Sequence, residues 1–185
     1  MRWLLPTGEA VPAELCHAFQ ARFSHVRLMN AYGPAECSDD VAMYEVPRAG
    51  ARAGAVPLGR PTANNRLYVV DAQLSQLPVG VTGEIVVSGA GVGRGYLGDS
   101  ARTAASFIEA PWLDAGRVYR TGDLGRLRSD GLLEFIGRTD AQVKVRGHRI
   151  ELGEIESRLR GAAGVRDAAV VVALDARQEP QLVAY

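Results

Sequence analysis

The chain has 185 residues, of which 47% are hydrophobic and 23% charged, the balance of a globular protein long enough to bury a sizeable core. Its 21 Lys and Arg offset 21 Asp and Glu, leaving no excess of cations to hold a nucleic acid. No apolar run nears the ~20 residues of a membrane helix, no signal-peptide pattern opens the chain, and Cys16 and Cys37 form neither a disulfide scaffold nor a metal-ligand spacing, so a reduced, cytoplasmic setting without membrane or nucleic-acid partners is expected.

Glycines and prolines cut the chain into short elements. Residues 2–6 read as the end of a strand and 12–23 as a helix with Pro12 in its first turn and Leu15, Ala18 and Phe19 on one face. His25–Asn30 reads as a strand running into a Tyr32-Gly33-Pro34 loop. From Val41 the pattern turns β-rich, with runs at 41–46, 66–71, 84–88, 117–120, 125–128 and 132–136 separated by turn residues, as in a barrel or sandwich. Asp130-Gly131 is the strongest hairpin signal, and one helix is expected over 101–108. A strand over 142–150, a helix over 151–160 closed by Gly161, and a buried strand over 165–174 follow, so a boundary is placed near 138–140.

Gly93-Arg94-Gly95-Tyr96-Leu97-Gly98 matches G-x-G-x-x-G, but Val118 stands where a dinucleotide fold wants an acid and the surroundings are β-rich. A glycine-rich connection between closely approaching backbones is expected there instead. Three other clusters bear chemistry. Asn30-Ala31-Tyr32-Gly33-Pro34-Ala35-Glu36 sets an amide, a ring and a carboxylate at the C-terminal end of a strand. An Asn amide pairs with an adenine edge, a Tyr face stacks on a base, and a carboxylate suits Mg²⁺ borne on phosphates; a plain turn with an exposed acid fits the same residues. In Tyr119-Arg120-Thr121-Gly122-Asp123-Leu124, Asp123 has the acceptors for two ribose hydroxyls, or Thr-Gly-Asp is simply a turn. Residues 137–151 carry four cations in an alternating pattern, which fits an anion-facing strand or a solvated one.

Together the three clusters closely resemble the adenylate-forming superfamily, in particular the adenylation domains of nonribosomal peptide synthetases. Residues 30–36 are similar to that family's N-x-Y-G-P-T-E motif, 83–97 to its G-E-…-R-G-Y segment, 119–124 to Y-[RK]-T-G-D-L, and 137–156 to G-R-x-D-x-Q-V-K-[IV]-R-G-x-R-[IV]-E-L-x-E-[IV]-E. Leu58-Gly59-Arg60-Pro61 and Tyr68-Val69-Val70-Asp71 agree as well. The resemblance implies an α/β and β-barrel-like multi-subdomain fold: residues 1–139 as the C-terminal portion of a large AMP-binding domain (an α/β tail over 1–40 and a barrel-like part over 41–138), and 140–185 as a truncated small α+β domain.

It also implies a reaction, carboxylate plus ATP giving an acyl-adenylate and pyrophosphate, then transfer to the pantetheine thiol of a carrier protein. Gly8, Glu9 and Ala10 would lie against adenine, Asn30 would read its edge, Tyr32 would stack on it, and Gly33 would join them in binding the nucleotide. Glu36 would ligate Mg²⁺, Asp123 would bind ribose, and Arg138 would approach ribose and phosphate. Asp140 would be the hinge of the small domain, with Lys144, Gly147 and Arg149 facing the site in the thiolation pose, Lys144 as a catalytic group; a bland surface strand is the alternative for these three. Leu5, Thr7, Ala31, Asp39 and Asp40 would line the acyl pocket. The adjacent carboxylates suggest a basic substrate side chain, or else a capped loop.

Ala35 departs from the family's usual Thr, which predicts weaker phosphate contact. The family's phosphate loop and its N-G-K lysine motif do not occur in the 185 residues, so an internal fragment, inactive alone, is expected. An acyl- or aryl-CoA ligase of the same superfamily and a non-catalytic nucleotide-binding module are the alternatives.

Overall fold

The computed structural model describes residues 1–48, 56–113, 116–140, 142–145, 148–177 and 179–185. They form two compact units, Met1–Thr139 and Asp140–Tyr185.

The first unit opens with β1 (Trp3–Leu4) and α1 (Ala13–Arg22). Pro12 precedes the helix with φ −66°, already set for helical backbone. The buried face is not the expected one. Ala13, Cys16 and Gln20 point inward, while Leu15 is 61% exposed. Small side chains at 13 and 16 let the helix approach closely, and Phe19 packs beside a cluster of Val11, Cys16, Leu28, Val46 and Val56. Gln20 donates from Nε2 to the Val46 carbonyl at 2.9 Å.

β2 (Arg27–Tyr32) lies parallel to β1, and β3 (Ala42–Glu45) and β4 (Arg60–Pro61) extend the sheet antiparallel in the order β1-β2-β3-β4. The barrel-like segment was expected to begin at residue 41, yet β3 and β4 complete the first sheet. The pairing of Ala42 with Tyr32 explains this: the loop between them folds straight back onto β2.

β5 (Asn65–Val70), β6 (Thr82–Gly89), β7 (Phe107–Glu109), β8 (Arg117–Leu127) and β9 (Leu133–Arg138) form an antiparallel five-stranded half-barrel. β8 pairs with β6 on one edge, and with β7 and then β9 on the other. The hairpin at Asp130-Gly131 is where the sequence places it, with Gly131 at φ +76°. β6 is buried from Gly83 to Ser88. Ile85 and Val87 enter a core with Tyr32, Val41, Leu58, Phe107 and Tyr119, while Val86 packs on the other side with Val70 and Val118. The expected helix is α2 (Ser100–Ser106), capped by Asp99 Oδ1 accepting from the Arg102 amide at 2.8 Å; from Phe107 the chain is strand, not helix. The G-x-G-x-x-G segment is a connection between β6 and α2, as expected.

In the second unit the single strand expected over 142–150 is two antiparallel strands, β10 (Gln142–Val145) and β11 (His148–Glu151), and residues 146–147 lie outside the described residues. α3 (Leu152–Arg160) follows, then β12 (Val170–Leu174) paired with β13 (Pro180–Ala184). The Glu156 carboxylate of α3 accepts from the Val170 amide at 2.9 Å. β12 was expected to be buried, but only Val170 is; Val171 and Val172 are 42% and 37% exposed. Its apolar run is paired, among the described residues, with β13 alone, and a two-stranded sheet covers little of itself.

Candidate functional site

Asn30 and Tyr32 lie two apart on β2 and so share one face. Both are buried, at 3% and 8% exposure. The Asn30 amide donates to the Pro57 carbonyl at 2.8 Å. The Tyr32 hydroxyl donates to Asp123 Oδ2 at 2.6 Å, across 91 positions of sequence, and the Arg138 guanidinium donates to Oδ1 of the same carboxylate. The Asp123 and Arg138 side chains are only 12% and 14% exposed, so this ion pair stands in a low-dielectric setting.

A bulge puts Asp123 there. Opposite the single residue between Glu84 and Val86 of β6, β8 carries Thr121, Gly122 and Asp123. Bulges re-aim side chains, and Gly122 takes the required φ of +71°. The Thr121 hydroxyl donates to the Ile85 carbonyl at 2.7 Å and accepts from the Asp123 amide at 2.9 Å. Glu84, buried, accepts from Arg120 Nη2 at 2.5 Å and from the Gly122 amide at 3.2 Å. Thr-Gly-Asp is therefore a clamped bulge inside one long strand, where the sequence suggested two runs and a turn. Glu84 and Arg120 are the residues that sequence reasoning passed over. An acid inside an otherwise apolar strand was the available signal, since a buried carboxylate is almost always paired.

After Tyr32 the chain makes a single 3₁₀ turn, Ala35–Cys37, and leaves it through two left-handed residues, Ser38 at φ 60° and Asp39 at φ 76°. The Val41 amide closes the loop on the Tyr32 carbonyl at 2.8 Å. Glu36 sits on that turn. Its Oε1 accepts from the Tyr96 hydroxyl at 2.7 Å, and its carbonyl accepts from the Gly93 amide at 2.8 Å.

Tyr32, Asp123 and Arg138 are thus in direct contact. Glu36 joins the same core through Tyr96, whose hydroxyl lies 3.4 Å from that of Tyr119. Asn30 shares the strand face of Tyr32. The Tyr32 ring packs in the core with its hydroxyl engaged. Asp123 already has a donor on each oxygen, leaving the second lone pair of each for a further donor.

Near the chain start, the Ala31 amide donates to the Pro6 carbonyl at 3.0 Å, which lays Leu5 and Thr7 beside β2. Thr7 Oγ1 donates to Asp40 Oδ1 at 3.2 Å. Burial raises the Asp40 pKa, the charge of exposed Asp39 adds to the rise, and the Thr7 bond offsets part of it. Gly8, at φ +88°, bends the chain into exposed Glu9 and Ala10. In the second unit Asp140 Oδ1 accepts from the Gln142 amide at 3.1 Å, and Lys144 pairs in register with Arg149, so both side chains stand exposed on one face. Arg149 Nε donates to Gln142 Oε1 at 2.6 Å. Gly147 lies outside the described residues.

No group of three or more His, Cys, Asp or Glu that would hold a metal occurs among the described residues. A single carboxylate such as Glu36 fits a Mg²⁺ that arrives on phosphates, which takes one or two protein carboxylates, and does not fit a dedicated metal cage. Among the described residues, no helix is long and apolar enough to cross a membrane.

Burial holds the Tyr32 hydroxyl proton, with the Asp123 charge adding to the effect, and burial pushes the Cys37 thiol up to about 12 with Glu36 adding. Both groups bind their protons more tightly folded than unfolded. The stability they confer is complete below pH 9, where an unfolded thiol stays protonated, and is lost as the pH rises from there towards 12. The urea midpoint of the chain is therefore expected to fall steadily from pH 9 to pH 11; a flat profile over that range would contradict the burial of these two protons.

The sequence matches the model of the AMP-binding enzyme family over residues 1–97. It is 46% identical over 187 residues to tyrocidine synthase 3 of Brevibacillus parabrevis, covering 100% of this chain and 3% of that protein. It is also 46% identical over 186 residues to a phosphinothricin tripeptide synthetase of Streptomyces viridochromogenes, covering 100% and 15%. The fold superimposes on PA1221, an NRPS protein containing adenylation and PCP domains, with a TM-score of 0.90 at 34% identity, over 100% of this chain and 37% of that one. It superimposes on the Vibrio cholerae adenylation domain AlmE, solved with glycyl-adenosine-5'-phosphate, with a TM-score of 0.87 at 29% identity, over 100% and 35%. The chain thus spans a small part of these synthetases and just over a third of the solved chains. With a family model that covers more than half its length and a fold shared along all of it, the chain belongs to the AMP-binding enzyme family.

Proposed function

We propose that this chain is part of an amino-acid-activating adenylation domain. The observation that carries the reading is the Tyr32–Asp123–Arg138 contact, which draws three separate motifs onto one carboxylate. In the reaction, an oxygen of the amino-acid carboxylate attacks the α-phosphorus of ATP; the bond to the β-phosphate oxygen breaks and pyrophosphate leaves. Asp123 accepts from the ribose hydroxyls through its remaining lone pairs, which fixes the nucleotide against the bulge. Arg138, held by Asp123, brings its guanidinium towards ribose and phosphate, a preorganised positive charge where negative charge develops. Asn30 holds the base edge. Glu36 faces the Mg²⁺ that travels with the phosphates and neutralises part of their charge.

Transfer of the acyl group to the pantetheine thiol of a carrier protein follows, with Asp140 as hinge and Lys144 and Arg149 serving that step. Similarity to adenylation–PCP proteins supports this partner. Leu5, Thr7, Ala31, Asp39 and Asp40 line the acyl pocket. A carboxyl already raised by burial and a neighbouring acid gains from a cationic partner, so a basic amino acid is the proposed substrate. A cytoplasmic location accords with this chemistry.

Amino-acid-dependent ATP–pyrophosphate exchange tests the reading. The full-length protein is expected to catalyse exchange, most strongly with lysine, ornithine or arginine. The 185-residue chain alone, about a third of a solved adenylation chain, is expected to show none. Exchange that is absent from the full-length protein across all amino acids would overturn the function, and a preference for apolar acids would overturn the substrate class.

A further inference from the structure

The glycine-rich segment that mimics a dinucleotide fingerprint binds no phosphate in the reading above, yet it is tied to its surroundings by several bonds. Arg117 donates to the Gly93 and Arg94 carbonyls at 2.9 and 2.8 Å. The Tyr96 amide donates to Thr103 Oγ1 at 2.9 Å. A Cβ on Gly93 would stand 2.8 Å from the Glu36 carbonyl, so only glycine permits the approach that lets its amide bond there. The Tyr96 ring is held edge-on by Phe107, with centroids 5.6 Å apart, and capped by the Arg102 guanidinium at 4.3 Å. Every one of these contacts would survive with phenylalanine at 96. What the hydroxyl adds is the 2.7 Å bond to Glu36 Oε1, beside the Tyr119 hydroxyl.

We propose that Tyr96 is a positioning residue for Glu36: the Gly93–Tyr96 segment fixes the acid at two points, main chain through the Gly93 amide and carboxylate through the Tyr96 hydroxyl, and so sets the direction in which Glu36 meets the Mg²⁺ of the nucleotide. This rests on the reading of Glu36 as the metal-facing carboxylate. Oxygen ligands of Mg²⁺ must meet a near-octahedral geometry, and a carboxylate on a short 3₁₀ turn has no rigid element of its own to supply it. A hydroxyl donor on one oxygen restricts the carboxylate rotation, as partners behind a ligand do at metal sites generally.

The test uses the full-length protein with Mn²⁺ as the probe, in the presence of a non-hydrolysable ATP analogue, free Mn²⁺ being read by electron paramagnetic resonance. Tyr96→Phe is expected to weaken Mn²⁺ binding about 10-fold, the lower end of what loss of such a partner costs. Its melting temperature should stay close to that of the parent, and the KM for the amino acid should not change. Glu36→Gln should weaken binding at least as much, and Tyr96→Phe added to Glu36→Gln should weaken it no further. Unchanged Mn²⁺ affinity in Tyr96→Phe, with Glu36→Gln clearly weakened, would overturn the positioning role and leave the proposed function standing. A further loss in the double variant would overturn it too, since Tyr96 would then act other than through Glu36. If Glu36→Gln itself binds Mn²⁺ as the parent does, the metal role of Glu36 falls and the inference falls with it.

Discussion

Asp123→Ala is expected to abolish measurable ATP–pyrophosphate exchange in the full-length protein and to unfold the chain at markedly lower urea. The carboxylate is the shared acceptor of a tyrosine buried to 8% exposure and of an arginine whose side chain is 14% exposed. Its removal breaks a buried ion pair, which costs up to about 3–5 kcal/mol, and leaves a buried hydroxyl without its acceptor, which costs a further ~1–3 kcal/mol. Catalytically, one lost transition-state contact lowers rates by about 10²–10³, and here the ribose acceptor and the orientation of Arg138 go together. Tyr32→Phe separates the two effects. It removes one hydrogen bond, keeps the ion pair, and should cost about 1 kcal/mol while exchange persists. Equal stability losses in Asp123→Ala and Tyr32→Phe, measured by urea denaturation of the 185-residue chain, would show that the ion pair contributes nothing to the fold.

That contact also marks how far the sequence could be read. Many strand and helix positions in the first 130 residues were legible because period-two alternation, Pro12 and Asp130-Gly131 are local signals, whereas the strand over 107–109 and the continuity of 117–127 were not. The three chemical clusters were legible because their residue types and order are specific. The bond from Tyr32 to Asp123 was not: nothing local ties positions 91 residues apart. The reason Asp123 points inward, a three-residue bulge held by Glu84, Arg120 and Thr121, exists only once β6 and β8 are paired. The Tyr32 ring illustrates the same gap. Its packing beside Val41 and Leu58 depends on β3 returning to β2, which no local pattern reveals. In the second unit, alternation reads 142–150 as one strand because both paired strands carry the same period, and the apolar run of β12 reads as buried because periodicity does not reveal how few strands flank it.

Gly33→Ala is expected to be among the most damaging single-methyl changes at the described glycines. A Cβ at residue 33 would stand 1.6 Å from the Asp39 carbonyl oxygen and 2.8 Å from the Val41 amide nitrogen. Both are main-chain atoms of the loop that the Val41–Tyr32 hydrogen bond closes, so no side chain can swing aside to make room. The loop must open, and with it go the 3₁₀ turn that presents Glu36 and the return of β3 onto β2. A loss of about 4 kcal/mol or more is expected, in the range reserved for changes that break a defined piece of architecture. Gly98→Ala gives the comparison. Gly98 has φ +72° and nothing within 4 Å of its would-be Cβ, so alanine there meets only the left-handed backbone penalty of about 1–2 kcal/mol. Gly33 has no left-handed backbone, so its variant reports the steric clash and Gly98→Ala the conformational penalty, and the two urea midpoints compare these terms. Because Glu36 rides on the displaced loop, Gly33→Ala should also weaken Mn²⁺ binding in the full-length protein although no ligand has been touched, whereas Gly98→Ala should leave it unchanged. Equal midpoints for the two alanine variants would mean that the 33–41 loop yields at little cost, and that the close approach of Gly33 to Asp39 is not what holds the acid in place.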